Sequence, residues 1–362
     1  KRSDGRWEGR YIKGRSADGK PCWGYVYGAT YSEVRETSAR KKAEYGIYNL
    51  NCTDITFSEI SEQWLYSVRQ GVKESTFSHY QYTLRHYLQP VFGDFKVSTL
   101  SEKVLEQGLL AVITPANGKQ KPLGATMAQE CLSMLRRICK YAAHFHLIRP
   151  LEITVKLPQK SPKVLLPFTT EEQKKLQSFV MDAPTPRKIG LLLGFQLGLR
   201  IGEICGLKWG DFDLSAGTVT IQRTVTRISC GNGHTKVVVQ SPKTKNSHRE
   251  IPLPKSLLRV LKKLSKDFSS GTWFLSGNEE KPVEPRCYRK SIYGYLKKAS
   301  VHQAHPHALR HTFATTCLQA HCDIKTLSEL LGHADAAVTL KKYVHSDMTR
   351  KRKEINRVFE NF

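Results

Sequence analysis

Between residues 150 and 168 the chain carries Pro150, Pro158, Pro162 and Pro167, interleaved with Lys156, Lys160 and Lys163. Proline lacks a backbone N–H and its ring clashes with the preceding turn, so no continuous helix runs through this segment. It reads as a basic connector at 151–168, and the chain must fold as separate pieces on either side of it. With 362 residues, and roughly 100–200 residues per domain, two or three domains are expected.

The pieces differ in pattern. Asp4-Gly5 and Asp18-Gly19-Lys20 are turn signals flanking Arg6–Lys13 and Cys22–Tyr27, which are rich in aromatic and β-branched residues. A helix follows from Ser32, its expected N-cap, to about Tyr48. Residues 1–53 therefore read as a small three-stranded sheet plus a helix. Residues 54–150 read as an all-α bundle of about four helices, with Phe57, Ile60, Trp64, Leu65 and Val68 at helical spacing. The helix over Thr76–Tyr87 takes Ser75 as cap and is expected to end at Pro90. Beyond the connector, 169–345 alternates helices with the strands Thr218–Arg227, Lys236–Gln240 and Arg249–Leu253, a mixed α/β pattern. Ile189–Leu207 reads as one buried helical segment carrying a single arginine. The tail, 346–362, mixes Met348, Ile355, Val358 and Phe359 with charges and is expected to pack on a neighbouring protomer. The fold class is thus multidomain α+β.

Charge narrows the function. Lys plus Arg number 57 against 32 Asp plus Glu, a net charge of +25. So basic a chain matches a polyanion, with nucleic acid ahead of a membrane surface. The longest apolar stretch, Ile189–Leu199, falls short of the ~20 residues of a bilayer-spanning helix, and no signal peptide opens the chain. The first residue is Lys, so residues are expected to precede it. Nine cysteines are scattered without a Cys-x-x-Cys pair, which argues against a disulfide framework or a cysteine zinc site and fits a reducing cytoplasm.

Four clusters carry chemistry. Arg200 lies in the apolar run Leu197-Gly198-Leu199-Arg200-Ile201-Gly202-Glu203. A buried charge must be paired or bind an anion, and Glu203, one turn on, is placed to orient the guanidinium. A purely structural Arg–Glu pair is the plain alternative. His307 and Arg310, spaced i, i+3, share a helix face and offer two kinds of donor. His302, His305, His307 and His311 raise the alternative of a zinc site, which lacks a carboxylate or cysteine partner and would put Arg310 beside the metal. His333 follows Leu330-Leu331-Gly332, with Tyr343 ten residues later. Finally, Gln240–Arg249 is a polar hairpin containing Lys243 and Lys245. A lysine at such a tip is ordinarily solvated but is able to deliver a proton.

In this order the clusters resemble the tyrosine recombinases, or phage-type integrases. The matching residues are Leu-Gly-Leu-Arg200-x-x-Glu203, Pro-Lys243-Thr, His307-x-x-Arg310-His-Thr-Phe-Ala-Thr, Leu-Leu-Gly-His333 and Tyr343. The resemblance implies an arm-type DNA-binding domain at 1–53, a core-binding domain at 54–150 and a catalytic domain at 169–345. The resemblance is to the three-domain integrases and transposases of conjugative transposons in particular. It implies a site-specific recombinase that needs no cofactor or metal. Tyr343 would be the nucleophile, forming a 3′-phosphotyrosine. Arg200, Arg310, His307 and His333 would hold the phosphate, and Glu203 would support them. Pro-Lys-Thr favours Lys243 over Lys245 as the general acid. The implied partners are double-stranded DNA, a homo-tetramer on two DNA sites, and an excision factor or a DNA-bending protein. Arg6, Arg10, Lys13, Arg15, Lys245 and Arg249 are the expected DNA contacts. A DNA-binding regulator without turnover and a type IB topoisomerase are the competing readings; the full catalytic set opposes the first and the arm-like domain the second.

Overall fold

The structure, a computed structural model, describes residues 1–15, 20–46, 55–115, 121–159, 166–231, 234–241, 247–332, 337 and 355–356. The chain divides into two compact units: Lys1–Pro162 with Ser229–His234, and Lys163–Ile228 with Thr235–Phe362.

The first unit begins with strands β1 (Trp7–Arg15) and β2 (Pro21–Gly28), paired antiparallel from Trp7↔Gly28 to Arg15↔Pro21 with an irregularity between Ile12 and Gly14. Among the described residues this sheet has two strands, not three. Helix α1 (Tyr31–Gly46) covers one face. Val34 comes so close that a Cβ on Gly9 or Gly28 would sit 2.8 Å from it. The helix is capped by Thr30 rather than Ser32: the Thr30 hydroxyl accepts from Glu33 N–H at 3.2 Å, and the Glu33 carboxylate accepts from Ala29 N–H at 3.0 Å. The other face leaves Trp23, Tyr25 and Tyr27 each about half exposed.

The bundle comprises α2 (Phe57–Val68), α3 (Glu74–Thr83), α4 (Gln89–Phe92), α5 (Glu102–Ile113) and α6 (Ala125–His144). Thr56 and Glu59 close a capping box on α2. The apolar spacing read from the sequence is its buried face: Phe57, Ile60, Trp64 and Leu65. Pro90 does not end the third helical segment. A π turn at Leu84–Leu88 joins α3 to α4, and Gln89 N–H bonds back to Leu84. Widening the helix by one residue per turn relieves the clash between the Pro90 ring and the preceding carbonyls. Residues 151–157, expected in the connector, pack on this bundle. Ile153 is buried, its carbonyl accepts from Arg136, and Thr154 N–H donates to Glu106 at 2.8 Å.

The second unit opens with α7 (Thr170–Asp182), capped by Thr169 and Glu172, and α8 (Pro186–Gln196), capped by Thr185. The apolar run predicted as one helix is broken after α8. Gly198 adopts φ +65°, and a short helix α9 (Ile201–Cys205) starts afresh. A three-stranded sheet of order β3 (Phe212–Asp213), β4 (Thr218–Ile221), β7 (Arg249–Pro252) pairs Val219 with Ile251 and Ile221 with Arg249. The strand expected over Thr218–Arg227 is interrupted where Arg223 turns its guanidinium to Asp211. Strands β5 (Thr224–Gly231) and β6 (His234–Gln240) form a separate two-stranded sheet. Helices α10 (Lys255–Leu264), α11 (Pro285–Lys298), α12 (His307–Gln319) and α13 (Ile324–Leu331) complete the unit. Its core includes Ile189, Leu191, Leu192, Val219, Ile251 and Tyr288, whose hydroxyl donates to the Arg187 carbonyl at 2.9 Å. No described helix is long and apolar enough to cross a membrane.

The break at Gly198 is under two constraints. A left-handed residue without glycine costs about 1–3 kcal/mol, and a Cβ there would lie 2.5 Å from the Phe313 ring. Gly198→Ala is expected to destabilise the protein by at least that amount in urea denaturation followed by tryptophan fluorescence; an unchanged midpoint would contradict the constraint.

Candidate active site

The break in the apolar run positions Arg200. As the N-cap of α9 it has extended backbone, φ −76° and ψ 148°, which turns its side chain out of the helical run. Glu203, three residues on, closes the turn. One carboxylate oxygen accepts from Arg200 N–H at 2.9 Å and the other from the Arg200 guanidinium at 2.7 Å. The predicted orienting contact is therefore present.

Glu203 also holds a second arginine. Arg249, the first residue of β7, donates to its carboxylate at 3.1 and 3.3 Å. Side-chain exposure is 4 % for Glu203 and 7 % for Arg249, against 35 % for Arg200. Burial by itself would raise the Glu203 pKa, but Arg249 and then Arg200 outweigh it and hold the carboxyl below its usual value. Arg249 was expected on the DNA-facing hairpin. The structure instead places it inside, bonded to Glu203 and donating through Nε to the Leu330 carbonyl at 2.7 Å. The sequence held a signal for this: period-two alternation over Arg249-Glu250-Ile251-Pro252 puts Arg249 on the buried face with Ile251.

Arg310 is 3 % exposed. Its terminal nitrogens donate to the Gly198 and Leu331 carbonyls, both at 2.7 Å. Leu330 and Leu331 are the last residues of α13, which Gly332 closes in the left-handed conformation, φ 63°. Arg249 and Arg310 thus grip adjacent carbonyls at the helix terminus where the macrodipole favours cations. The same Arg310 ties that terminus to the carbonyl two residues before Arg200. Arg200, Glu203, Arg249 and Arg310 form one network that joins α9, β7, α12 and α13.

His307 opens α12 and is exposed, so its side chain and that of buried Arg310 differ in solvent access despite their i, i+3 spacing. His307 N–H donates to His305 Nδ1 at 3.3 Å, and the two rings stack with centroids 5.3 Å apart. Burial, and then Arg289, lower the His305 pKa. The alternative histidine zinc site does not form among the described residues; His302 is bonded to Glu172 at 2.7 Å instead. Lys243, Lys245, His333, Tyr343 and all of the tail except 355–356 lie outside the described residues.

On the N-terminal sheet Arg6, Arg10 and Lys13 are exposed. Arg6 pairs with Asp4 at 2.8 Å and lies 5.8 Å from the Tyr27 ring centroid. Arg10 lies 5.8 Å from that of Tyr25. Arg15 ends β1 opposite Pro21; its side chain is outside the described set.

Residues 167–350 match the model of the phage integrase family, and residues 56–108 match that of a phage integrase N-terminal SAM-like domain. A tyrosine recombinase XerC-like protein of Caldanaerobacter subterraneus subsp. tengcongensis is 27 % identical, covering 92 % of this chain and 90 % of its own. Tyrosine recombinase XerC of Thermodesulfovibrio yellowstonii is 30 % identical over 74 % of this chain and 86 % of its own. Among solved structures, the Tn1549 transposon integrase in complex with transposon right-end DNA shares the fold. Its TM-score is 0.67 at 21 % identity, covering 84 % of this chain and 99 % of that one.

Glu203→Gln is expected to cost about 3–5 kcal/mol at neutral pH, because it leaves the buried Arg249 uncompensated. The pH dependence follows from the lowered pKa. The unfolded chain binds a proton at Glu203 before the folded one does, so this stabilisation is complete above the unfolded pKa of about 4.3 and is lost as pH falls towards the folded value. Urea melts of both proteins should therefore converge below about pH 4.3; a gap independent of pH would count against an ionised Glu203.

Proposed function

Because the chain belongs to the phage integrase family, whose general reaction is DNA strand cleavage and rejoining by transesterification, we propose that this site-specific tyrosine recombinase serves the integration and excision of a mobile genetic element. The observation that carries the reading is the network in which buried Glu203 fixes Arg200 while backbone carbonyls fix Arg310. Phosphoryl transfer asks mainly for positioning and for neutralisation of charge on the non-bridging oxygens. Arginine meets both needs with a planar fork of donors.

In this proposal Tyr343 attacks the scissile phosphorus and its phenolic proton passes to a base, for which His307 is available. The products are a 3′-phosphotyrosine and a free 5′-hydroxyl. Phenol has a pKa of about 10, so the developing phenolate and the charged phosphorane would both gain from the surrounding cations. Arg200 and Arg310 bind the non-bridging oxygens and His333 donates to one of them. Lys243 gives its proton to the leaving 5′-oxygen. A 5′-hydroxyl from a second duplex then attacks the phosphotyrosine and releases Tyr343, so the phosphodiester is conserved without ATP.

Exchange between two duplexes calls for coordinated active sites, hence a homo-tetramer on two DNA sites, with residues 346–362 reaching a neighbouring protomer. The N-terminal sheet, with Arg6, Arg10 and Lys13 beside Tyr25 and Tyr27, supports a second DNA-binding element for arm sites. An excision factor or a DNA-bending protein is a fitting partner, and the place of action is the bacterial cytoplasm. The domain limits that accompany this reading are 1–53, 54–150, 169–345 and 346–362.

The test is a nicked duplex carrying the element's terminus, incubated with protein and EDTA and run on a denaturing SDS gel. A protease-sensitive adduct is expected, absent for Tyr343→Phe at unchanged DNA affinity. Arg200→Ala should slow its formation by about 10²–10³-fold, the usual loss of a transition-state donor. An adduct that persists in Tyr343→Phe would refute the nucleophile. Affinity should fall by about 10³–10⁵ between roughly 50 and 200 mM salt if 6–10 phosphates are contacted, as read by filter binding.

A further inference from the structure

We propose that Cys317 and Cys322 form a reversible thiol/disulfide pair, a modification site at the corner between α12 and α13. The corner is a Schellman motif. Cys322 N–H bonds to the Cys317 carbonyl at 2.9 Å and His321 N–H to that of Leu318 at 3.3 Å, with His321 left-handed at φ 61°. That motif brings the side chains of its first and last residues together, usually as an apolar contact. Here both residues are cysteines. Both are half-buried against the small cluster of Phe313, Ala314, Leu318, Leu327 and Leu331. The neighbouring Asp323 carbonyl accepts from the Cys322 thiol at 3.6 Å.

The bond forms by exchange with a small-molecule disulfide. One thiolate attacks it, releasing one small thiol, and the second thiolate displaces the other. Two cysteine sulfurs are oxidised and the reagent is reduced to two thiols, which take up the two protons that the cysteines lose. Burial, and then Cys322, raise the Cys317 thiol to about 11, and burial also raises Cys322. Closure should therefore accelerate with pH, because the thiolate is the nucleophile. The pair lies one turn beyond Phe313, which packs on Gly198, and at the start of the helix whose far end holds Arg249 and Arg310.

The proposal is independent of the assignment of Tyr343. The experiment is to treat the full chain with glutathione disulfide, alkylate in denaturant, digest with trypsin and weigh the peptides. The peptide His311–Lys325 holds both cysteines and no other. It is expected unalkylated and lighter by two hydrogens, to revert with dithiothreitol, and to close faster at pH 9 than at pH 7. Cys317→Ser should leave Cys322 alkylated or glutathionylated. Recovery of the wild-type peptide with both thiols alkylated, both glutathionylated, or joined to another peptide would overturn the proposal. Exposed Cys22, Cys230 and Cys287 report in the same digest that the oxidant was active.

Discussion

A carboxylate with 4 % of its side-chain surface exposed stays ionised only if cations repay its lost hydration, and Glu203 has Arg200 and Arg249 to do so. The rest of the second unit is arranged around that requirement. Arg249 reaches Glu203 because β7 pairs with β4 and turns alternate residues inward. Arg200 reaches it because the chain breaks at Gly198 and restarts a helix with Arg200 at the N-cap and Glu203 at the third position. The second cation site is the end of α13, where Arg249 and Arg310 take the Leu330 and Leu331 carbonyls. Helix, strand and break are thereby locked to one another by charge-assisted bonds, each stronger than a neutral one.

This arrangement separates two uses of arginine within one cluster. Arg249 has its charge answered by a carboxylate, a loop carbonyl and a helix end, and is only 7 % exposed. It holds other groups in place. Arg200 shares Glu203 but keeps 35 % of its side-chain surface open, so its guanidinium is fixed yet accessible, and in the proposed reaction a phosphate would meet a donor already in place. A donor held in advance costs no reorganisation when charge develops on the phosphate. The net charge of +25 acts at longer range, in attraction and in salt dependence, and does not set the local geometry of the arginine network.

How much of this was legible in the sequence depended on what kind of constraint carried it. Amphipathic spacing marked Phe57, Ile60, Trp64 and Leu65 as one buried face, since periodicity is a local property. The pairing of Arg200 with Glu203 was legible for the same reason, being one helical turn apart. Arg249 was misplaced because the segment leading into it, from Gln240 to His248, is rich in polar residues. Composition pointed outward, while the alternation with Ile251 pointed inward, and alternation was the better guide. The helix through Pro90 was not legible either. A π turn is a compromise between the proline ring and a core that buries Leu84, Leu88 and Phe92, and no local residue type announces it. Residues 151–157 read as connector from their proline neighbours, yet the apolar side chain of Ile153 finds the bundle. The hydrogen bonds that hold this stretch come from Arg136, to the Ile153 carbonyl, and from Glu106, to the Thr154 N–H, and neither partner is local in sequence.

Gly198 shows why such departures gather near the site. An uninterrupted helix from Ile189 to Leu207 would keep the apolar run continuous, but it would carry Gly190, Gly194, Gly198, Gly202 and Gly206 in its interior and would set Arg200 along a largely apolar face. Breaking it forfeits backbone hydrogen bonds and needs a left-handed residue. In return it frees the Gly198 carbonyl for Arg310, makes room for the Phe313 ring, and aims Arg200 at Glu203 with its fork half open. A residue that gave up the left-handed turn would have to surrender all three at once. The position thus ties the stability of the core to the geometry of the arginine network, and neither can be altered there without the other.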